Sequence, residues 1–408
     1  MNRIRNLVTS QKTYVVLISS LLIAIPLQYG YSTGILIALL AVSLLSLKYH
    51  KPEWNYAYAV PFGLYGLMAL SLFWSIDIKE SIRGLERELA LLIIPLAFIF
   101  MPNITKKTCN NILYYFSMGI AVFAIFFITA ATVKFYETSD KSTFFYHALV
   151  SPLDLNAIYV SVITSLCLLF LLFKSKKTVL TILAIVLMSA FLLLLASKTI
   201  IVVTFISLVL GIFHTFRKKT IALLLLVFSA VVVALIVFSN PVKERFNREI
   251  EDSNIKEVLT CERFTRVYDW TGTTIRIFQA RIFYEMLDED DAFITGYGIN
   301  NSQKKIVEKQ KHYNLYKGFN AYNFHNQYLQ AWSEIGILGF LFIILFLVLL
   351  FKQYLVNKEV MLLALFLIML AVFVTESYLW RQRGLYHFLL LFCLFFKTEK
   401  REHTLNKK

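Results

Sequence analysis

The sequence predicts an all-α polytopic membrane protein of about 12 transmembrane helices, with one long loop of short helices. Three observations lead there. Hydrophobic residues make up 58% of the 408 residues, and the mean hydropathy is +0.64. Apolar runs of about 20 residues, the length a helix needs to cross the hydrocarbon core, recur along most of the chain. When each run is counted as one span, the Lys and Arg clusters between them fall on a single side.

The runs lie at 13–30, 31–48, 57–75, 85–101, 112–133, 151–173, 178–196, 199–216, 220–239, 335–351, 360–378 and 385–396. The fourth and twelfth are short or flanked by charge. A short basic head, Met1 to Lys12, precedes the first run, which lacks a small-residue cleavage site, so no cleavable signal is expected. Asn2–Lys12, Lys48–Lys51, Lys106-Lys107, Lys174–Lys177, Arg217–Lys219, Lys352–Lys358 and the tail from Lys397 are basic, which marks their side as cytoplasmic. Ser75–Glu88, Lys134–His147, Glu376–Gly384 and the long insert Asn240–Phe324 then share the outer side. Ala196-Ser197-Lys198-Thr199 is the whole turn between the seventh and eighth spans. The division that follows is 1–239 for spans one to nine, 240–334 for the outer loop, 335–396 for the last three spans and 397–408 for the cytoplasmic tail.

The formal charge of +15 does not point to nucleic acid. The insert carries about as many acidic as basic residues, so the excess sits in the cytoplasmic loops, as membrane topology requires. Cys109, Cys167, Cys261 and Cys393 show neither metal-ligand spacing nor an obvious disulfide pair, and Cys261 is expected to be unpaired. The insert is not disordered in composition. Phe246, Phe264, Tyr268, Trp270, Phe278, Phe283 and Tyr284 give it a core, and short, partly amphipathic helices over the membrane surface are expected.

Several outer-side residues are candidates for chemistry. Arg276 offers a fork of donors that matches two phosphate oxygens and stays charged at any working pH. Residue type alone leaves open a solvated or salt-bridged loop arginine. Lys198 is either a cation facing a lipid-linked anion or a side chain that snorkels to the interface. His325 opens a helix-like run, with Tyr328, Leu329 and Trp332 on its face, and imidazole suits proton abstraction near neutral pH. The alternative is a hydrogen-bonded interface histidine, and His147 and His312 compete for the role. Gly336 and Gly339 permit close packing of the next helix. Glu376, Arg381 and Arg383 between the last two spans, and Arg83 and Arg87 beside the fourth, either pair structurally or make the outer face cationic toward an anionic headgroup.

The run His325-Asn326-x-Tyr328-Leu329-x-x-Trp332-x-Glu334-x-Gly336-x-x-Gly339 resembles the signature of the O-antigen ligase and polymerase superfamily. Ile275-Arg276 before an amphipathic helix, the acidic turn Asp288–Asp291 and Gly296-x-Gly298 resemble the loop pattern of the same family. The family often has Trp four residues after that arginine, where this chain has Ala280, and Ser-Arg where this chain has Ser197-Lys198. Glu376 and Arg381-Gln382-Arg383-Gly384 resemble its late segment. The resemblance implies a metal-independent, inverting glycosyltransferase of the bacterial inner membrane that needs no cofactor. The loop 240–334 would be periplasmic and catalytic. The donor would be a glycan on undecaprenyl pyrophosphate, and the acceptor a lipid A–core or other glycan hydroxyl. His325 would be the general base, and Arg276 and Lys198 would hold the pyrophosphate. Glu376, Arg83, Arg87 and Asn326 are secondary candidates. A polymerase with a second lipid-linked glycan as acceptor, a protein O-oligosaccharyltransferase, and a transporter or flippase are the other readings weighed.

Overall fold

The computed structural model describes residues 2–215, 254–265, 268–316 and 318–398. The ninth expected span, Arg217–Lys219, Phe246 and most of the tail beyond Lys397 lie outside them. Seventeen α-helices are described: α1 (Asn2–Thr9), α2 (Gln11–Ala24), α3 (Tyr29–Ser46), α4 (Ala59–Leu70), α5 (Ile78–Arg87), α6 (Ala90–Phe100), α7 (Lys106–Thr138), α8 (Tyr146–Val150), α9 (Ala157–Phe173), α10 (Val179–Leu194), α11 (Lys198–Thr215), α12 (Ile255–Thr260), α13 (Gly272–Glu289), α14 (Ser302–His312), α15 (Gln327–Asn357), α16 (Val360–Thr375) and α17 (Gln382–Lys397). No strand forms among the described residues, so the fold is all-helical.

A helix meets each expected span outside 220–239. Among the described residues, five segments are by themselves long and apolar enough to cross a membrane: Tyr29–Ser46, Tyr56–Phe73, Lys106–Thr138, Lys198–Thr215 and Gln327–Asn357. Tyr146–Leu153 and Ala157–Phe173, bent by 90° to one another, make up to one more. The fourth expected span is divided. Helix α5 ends at Arg87, Glu88 follows, and α6 has only 11 residues. At 1.5 Å per residue α6 covers roughly 17 Å, well short of a hydrocarbon core of roughly 30 Å.

The body is organised around α17, whose residues from Gly384 to Lys397 are all buried. It packs on α6, α2 and α9, while α16 lies against α15, α11 and α9. One apolar cluster runs through these helices. The loop has its own core. In α13, Ile275, Phe278, Ile282, Phe283, Met286 and Leu287 recur at helical spacing and pack with Phe264, Trp270, Ile306, Tyr313 and Phe324. Thr271 and Thr274 close the start of α13 as a reciprocal capping box. Arg281 pins α12 to α13, donating to the carbonyls of Val258 at 3.0 Å and Cys261 at 2.8 Å and to Glu285 at 2.8 Å. Cys261 is a free thiol.

Glycines and one buried carboxylate join the loop to the body. Helix α15 starts eight residues before the expected tenth span and kinks at Ile335 (φ −131°, ψ 23°) and Gly336 (φ 72°, ψ −169°). That conformation of Gly336 is essentially restricted to glycine. The kink frees the backbone to pair with the 293–298 strap. Ile337 N donates to Phe293 O at 3.2 Å and Tyr297 N to Ser333 O at 2.9 Å. Just before the kink, Glu334 accepts from Asn301 N at 3.0 Å, from Gln330 Nε2 at 2.9 Å and from the Ser302 hydroxyl. Its carboxylate thus sits at the start of α14, where unpaired amides favour an anion.

A Cβ at Gly336 would fall 1.8 Å from Ile294 O, on top of a backbone conformation that costs about 1–3 kcal/mol for other residues. Gly336→Ala is therefore expected to lower the melting temperature of the detergent-purified chain by scanning fluorimetry. Gly66→Ala, whose Cβ meets nothing within 4 Å, serves as control. Equal melting of both variants and wild type would contradict the strap.

Candidate functional site

The site lies where the start of α13, the turn before α15 and the end of α16 converge. The turn is built locally. Asn323 Oδ1 accepts from His325 N at 3.0 Å, and His325 takes a left-handed φ of 46°. Asn326 then caps α15, its Oδ1 accepting from Tyr328 N at 2.9 Å and Leu329 N at 3.1 Å. Asn326, a secondary site candidate by sequence, thus holds the helix start beside His325. Tyr322 meets the His325 ring edge-on with centroids 4.9 Å apart.

Glu376 follows α16 directly, with its side chain only 6% exposed. His325 Nδ1 lies 3.2 Å and 3.3 Å from its two carboxylate oxygens. Arg276 NH2 lies 3.5 Å from Glu376 Oε1 on the other flank, while Arg276 Nε donates to Thr375 O at 3.1 Å and NH1 to Gly272 O at 2.8 Å. An ionised carboxylate accepts only, so Nδ1 carries the proton that faces it. The lone pair of the neutral ring then resides on Nε2. The structure thereby brings His325, Arg276 and Glu376 into one cluster. Glutamine side chains fix its register with the body. Gln327 Oε1 accepts from Leu379 N at 2.7 Å, and Gln330 Oε1 from the Ser377 hydroxyl at 3.4 Å.

His325 and Glu376 line a cavity of about 870 Å³, within the usual size of a ligand site. Tyr29, Tyr159, Tyr322 and Trp380 give it aromatic faces, and Arg381 and Arg383 supply positive charge. Two other hollows, of about 20 and 10 Å³, have room for one water at most. Arg276 is not among the lining residues and meets the cavity wall through Glu376. Lys198 begins α11 after Ala196 (φ 48°), is half-buried, and is also not among the lining residues.

The remaining candidates separate clearly. Arg83 has 70% of its side chain exposed and pairs with Glu80 at 2.5 Å. Arg87 pairs with Glu88 at 3.0 Å, donates to Asn300 Oδ1 at 3.0 Å and stacks 3.8 Å from the Trp380 ring centre. Arg87 therefore supports a wall residue without itself lining the cavity. His147 lines the cavity, and its Nδ1 accepts from Ala157 N at 3.2 Å. His312 ends α14 against Tyr313, outside the lining. Among the described residues no group of three or more His, Cys, Asp or Glu is arranged for a metal ion. Sequence reasoning did not single out Tyr322 or Trp380 for the cavity wall, nor Glu334 for the clasp. Glu334 was visible as a lone carboxylate on the apolar approach to the tenth span.

Residues 183–344 match the family model described as O-antigen ligase. That stretch holds Lys198, Arg276, His325 and Asn326, and ends before Glu376 and Arg381. No curated protein matches the chain. The family implies a glycosyltransferase-like enzyme of the membrane that handles lipid-linked glycans. This match, over residues 183–344, supports the O-antigen ligase and polymerase superfamily for that stretch.

Proposed function

We propose that the chain is an O-antigen ligase-like glycosyltransferase. It moves a glycan from undecaprenyl pyrophosphate to a sugar hydroxyl of lipid A–core at the periplasmic face of the bacterial inner membrane. The observation that carries this reading is the His325–Glu376–Arg276 cluster at the wall of a cavity of about 870 Å³.

His325 Nε2 takes the proton of the acceptor hydroxyl as that oxygen bonds to the anomeric carbon. The bond from the same carbon to the diphosphate oxygen breaks, and its electron pair leaves with the diphosphate. Attack from behind inverts the anomeric centre. Glu376 holds the imidazole by Nδ1 and compensates the positive ring that forms, the role a buried carboxylate plays behind other histidine bases. Arg276 fixes Glu376 in turn. Three of its five N–H donors are used on Glu376, Gly272 and Thr375, which leaves two. Those two donors and the Lys198 ammonium are the proposed cationic support for the charge that grows on the leaving diphosphate.

The first test is transfer by the purified chain in nanodiscs, with lipid-linked donor and lipid A–core acceptor. His325→Ala is expected to lose about 10²- to 10⁴-fold in turnover, the usual worth of a general base, while still inserting and folding. Wild-type turnover would remove the base assignment. Glu376→Gln preserves shape but offers an amide donor to Nδ1. Its kcat is expected to fall by about 10²-fold or more while KM for the donor stays put. A rise in KM alone would make Glu376 a binding residue instead. In the native host, deletion that abolishes capped lipopolysaccharide yet keeps polymerised carrier-linked glycan supports the ligase. Persistence of single-repeat lipopolysaccharide turns the reading to a polymerase.

A further inference from the structure

Away from the cavity, one stretch carries apolar side chains that the fold leaves exposed. It runs from the end of the Tyr56–Phe73 span through α5 to Leu89. Helix α5 has two distinct faces. One meets the loop: the Ser81 hydroxyl donates to Ile299 O at 2.8 Å, and a Cβ at Gly84 would strike Asn300 and Ile299 at 2.8–2.9 Å. Ile78 and Ile82, one turn apart, are exposed on another, and exposed Leu89 follows the helix. Phe73, 87% exposed, and Ile76 extend this patch before α5. The strap adds Ile294, 76% exposed. It is seated beside Phe73 because Trp74 Nε1 donates to Thr295 O at 2.8 Å and Ile76 N to Tyr297 O at 3.2 Å.

The surroundings of the patch say what covers it. Phe73 closes one span. The strap lies on a second, since Ile337 N donates to Phe293 O at 3.2 Å, and just beyond it Leu338 and Leu341 are exposed on α15. The patch is therefore continuous with the apolar outer surfaces of two spans. Helix length gives a second argument. Helix α6 covers roughly 17 Å of a hydrocarbon core of roughly 30 Å. With its far end at the boundary beside Lys106-Lys107, its near end at Leu89 lies roughly 13 Å inside the opposite boundary, or the bilayer thins to meet it. Either arrangement sets the end of α5 against acyl chains. The charges there agree with that depth. Glu88 is buried and neutralised by Arg87 at 3.0 Å, as a carboxylate surrounded by lipid and protein requires.

We propose that α5 and the strap form a lipid anchor, with Phe73, Ile76, Ile78, Ile82, Leu89 and Ile294 among the acyl chains of phospholipids in the leaflet next to the loop. Facing water, such a contiguous patch would promote aggregation, whereas lipid gives it the burial that the protein does not. The anchor goes beyond the transfer chemistry and does not depend on it. It sets the height of the loop. Asn301 Nδ2 donates to the Ser75 hydroxyl at 2.8 Å and Arg87 to Asn300 Oδ1 at 3.0 Å, so the residues that enter α14 and meet Glu334 are fixed to the anchored segment.

The test is the depth of nitroxide labels in the full chain, reconstituted in vesicles of phosphatidylcholine and phosphatidylglycerol. Cys261→Ser keeps a donor for Arg263 O and gives a background in which Cys109, Cys167 and Cys393 are buried. Labels are placed through Ile82→Cys, Leu89→Cys and Ile294→Cys, all exposed positions. Val348→Cys on α15 marks lipid, and Lys311→Cys on α14 marks water. Collisions with dioxygen, which concentrates among acyl chains, are compared with collisions with a water-soluble nickel chelate. The ratio of the two at the test positions is expected to match that of the lipid marker and to exceed that of the water marker. A ratio that matches the water marker overturns the anchor. Dipolar broadening at the test positions that disappears on dilution with unlabelled chain assigns the patch to a second copy and overturns it too. Transfer activity enters neither readout, so the anchor and the proposed reaction fail separately.

Discussion

The site depends on one carboxylate held out of water. An ionised Glu376 at 6% exposure would cost several kcal/mol if left alone. Two partners offset that cost, and they come from different parts of the chain. Arg276 belongs to the first turns of α13 in the loop, and His325 to the turn between loop and α15. Compensating the charge therefore fixes where the loop sits over the membrane body. The same contact decides which imidazole nitrogen is left for chemistry, because the carboxylate takes the protonated Nδ1. Folding and the proposed proton transfer draw on the same interaction.

Such precision needs a loop that behaves as a body of its own. The aromatic cluster around Phe278, Phe264 and Trp270 supplies that rigidity, and the Arg281 hydrogen bonds tie α12 onto it. Its connection to the membrane helices is equally specific. The strap containing Gly296 and Gly298 passes so close to α15 and to Ser75 that a side chain at either glycine would strike atoms 2.7–2.8 Å away. Glu334 closes the same junction by taking hydrogen bonds from the start of α14. The loop is thus held at two places, one structural and one at the cavity wall.

Much of this was legible in the sequence, for physical reasons. A bilayer demands apolar length, so the spans announce themselves. Their edges do so less well. Helix α15 begins at Gln327, where Gln330 donates to Glu334 and Ser302 and Gln327 accepts from the Leu379 amide, so polar residues are buried without looking apolar. The fourth span reads as continuous although Glu88 divides it. His325 and Arg276 stood out by residue type and by their surroundings. Their common partner did not, since Glu376 lies 51 residues from His325 and 100 from Arg276. Long-range pairing of that kind has no local signature. Asn326 illustrates the converse. A side chain that sits directly before a helix can cap it, and that local role is the one the structure gives it.

The central claim is that His325 and Glu376 act as one unit. A double-mutant cycle on transfer measures this most directly, using turnover of the two single variants His325→Ala and Glu376→Gln and of their combination. Residues that serve one step together lose most of their effect on the first substitution. The account predicts that the double variant is no slower than His325→Ala alone. Losses that multiply in the double variant would show two independent contributions and would contradict it.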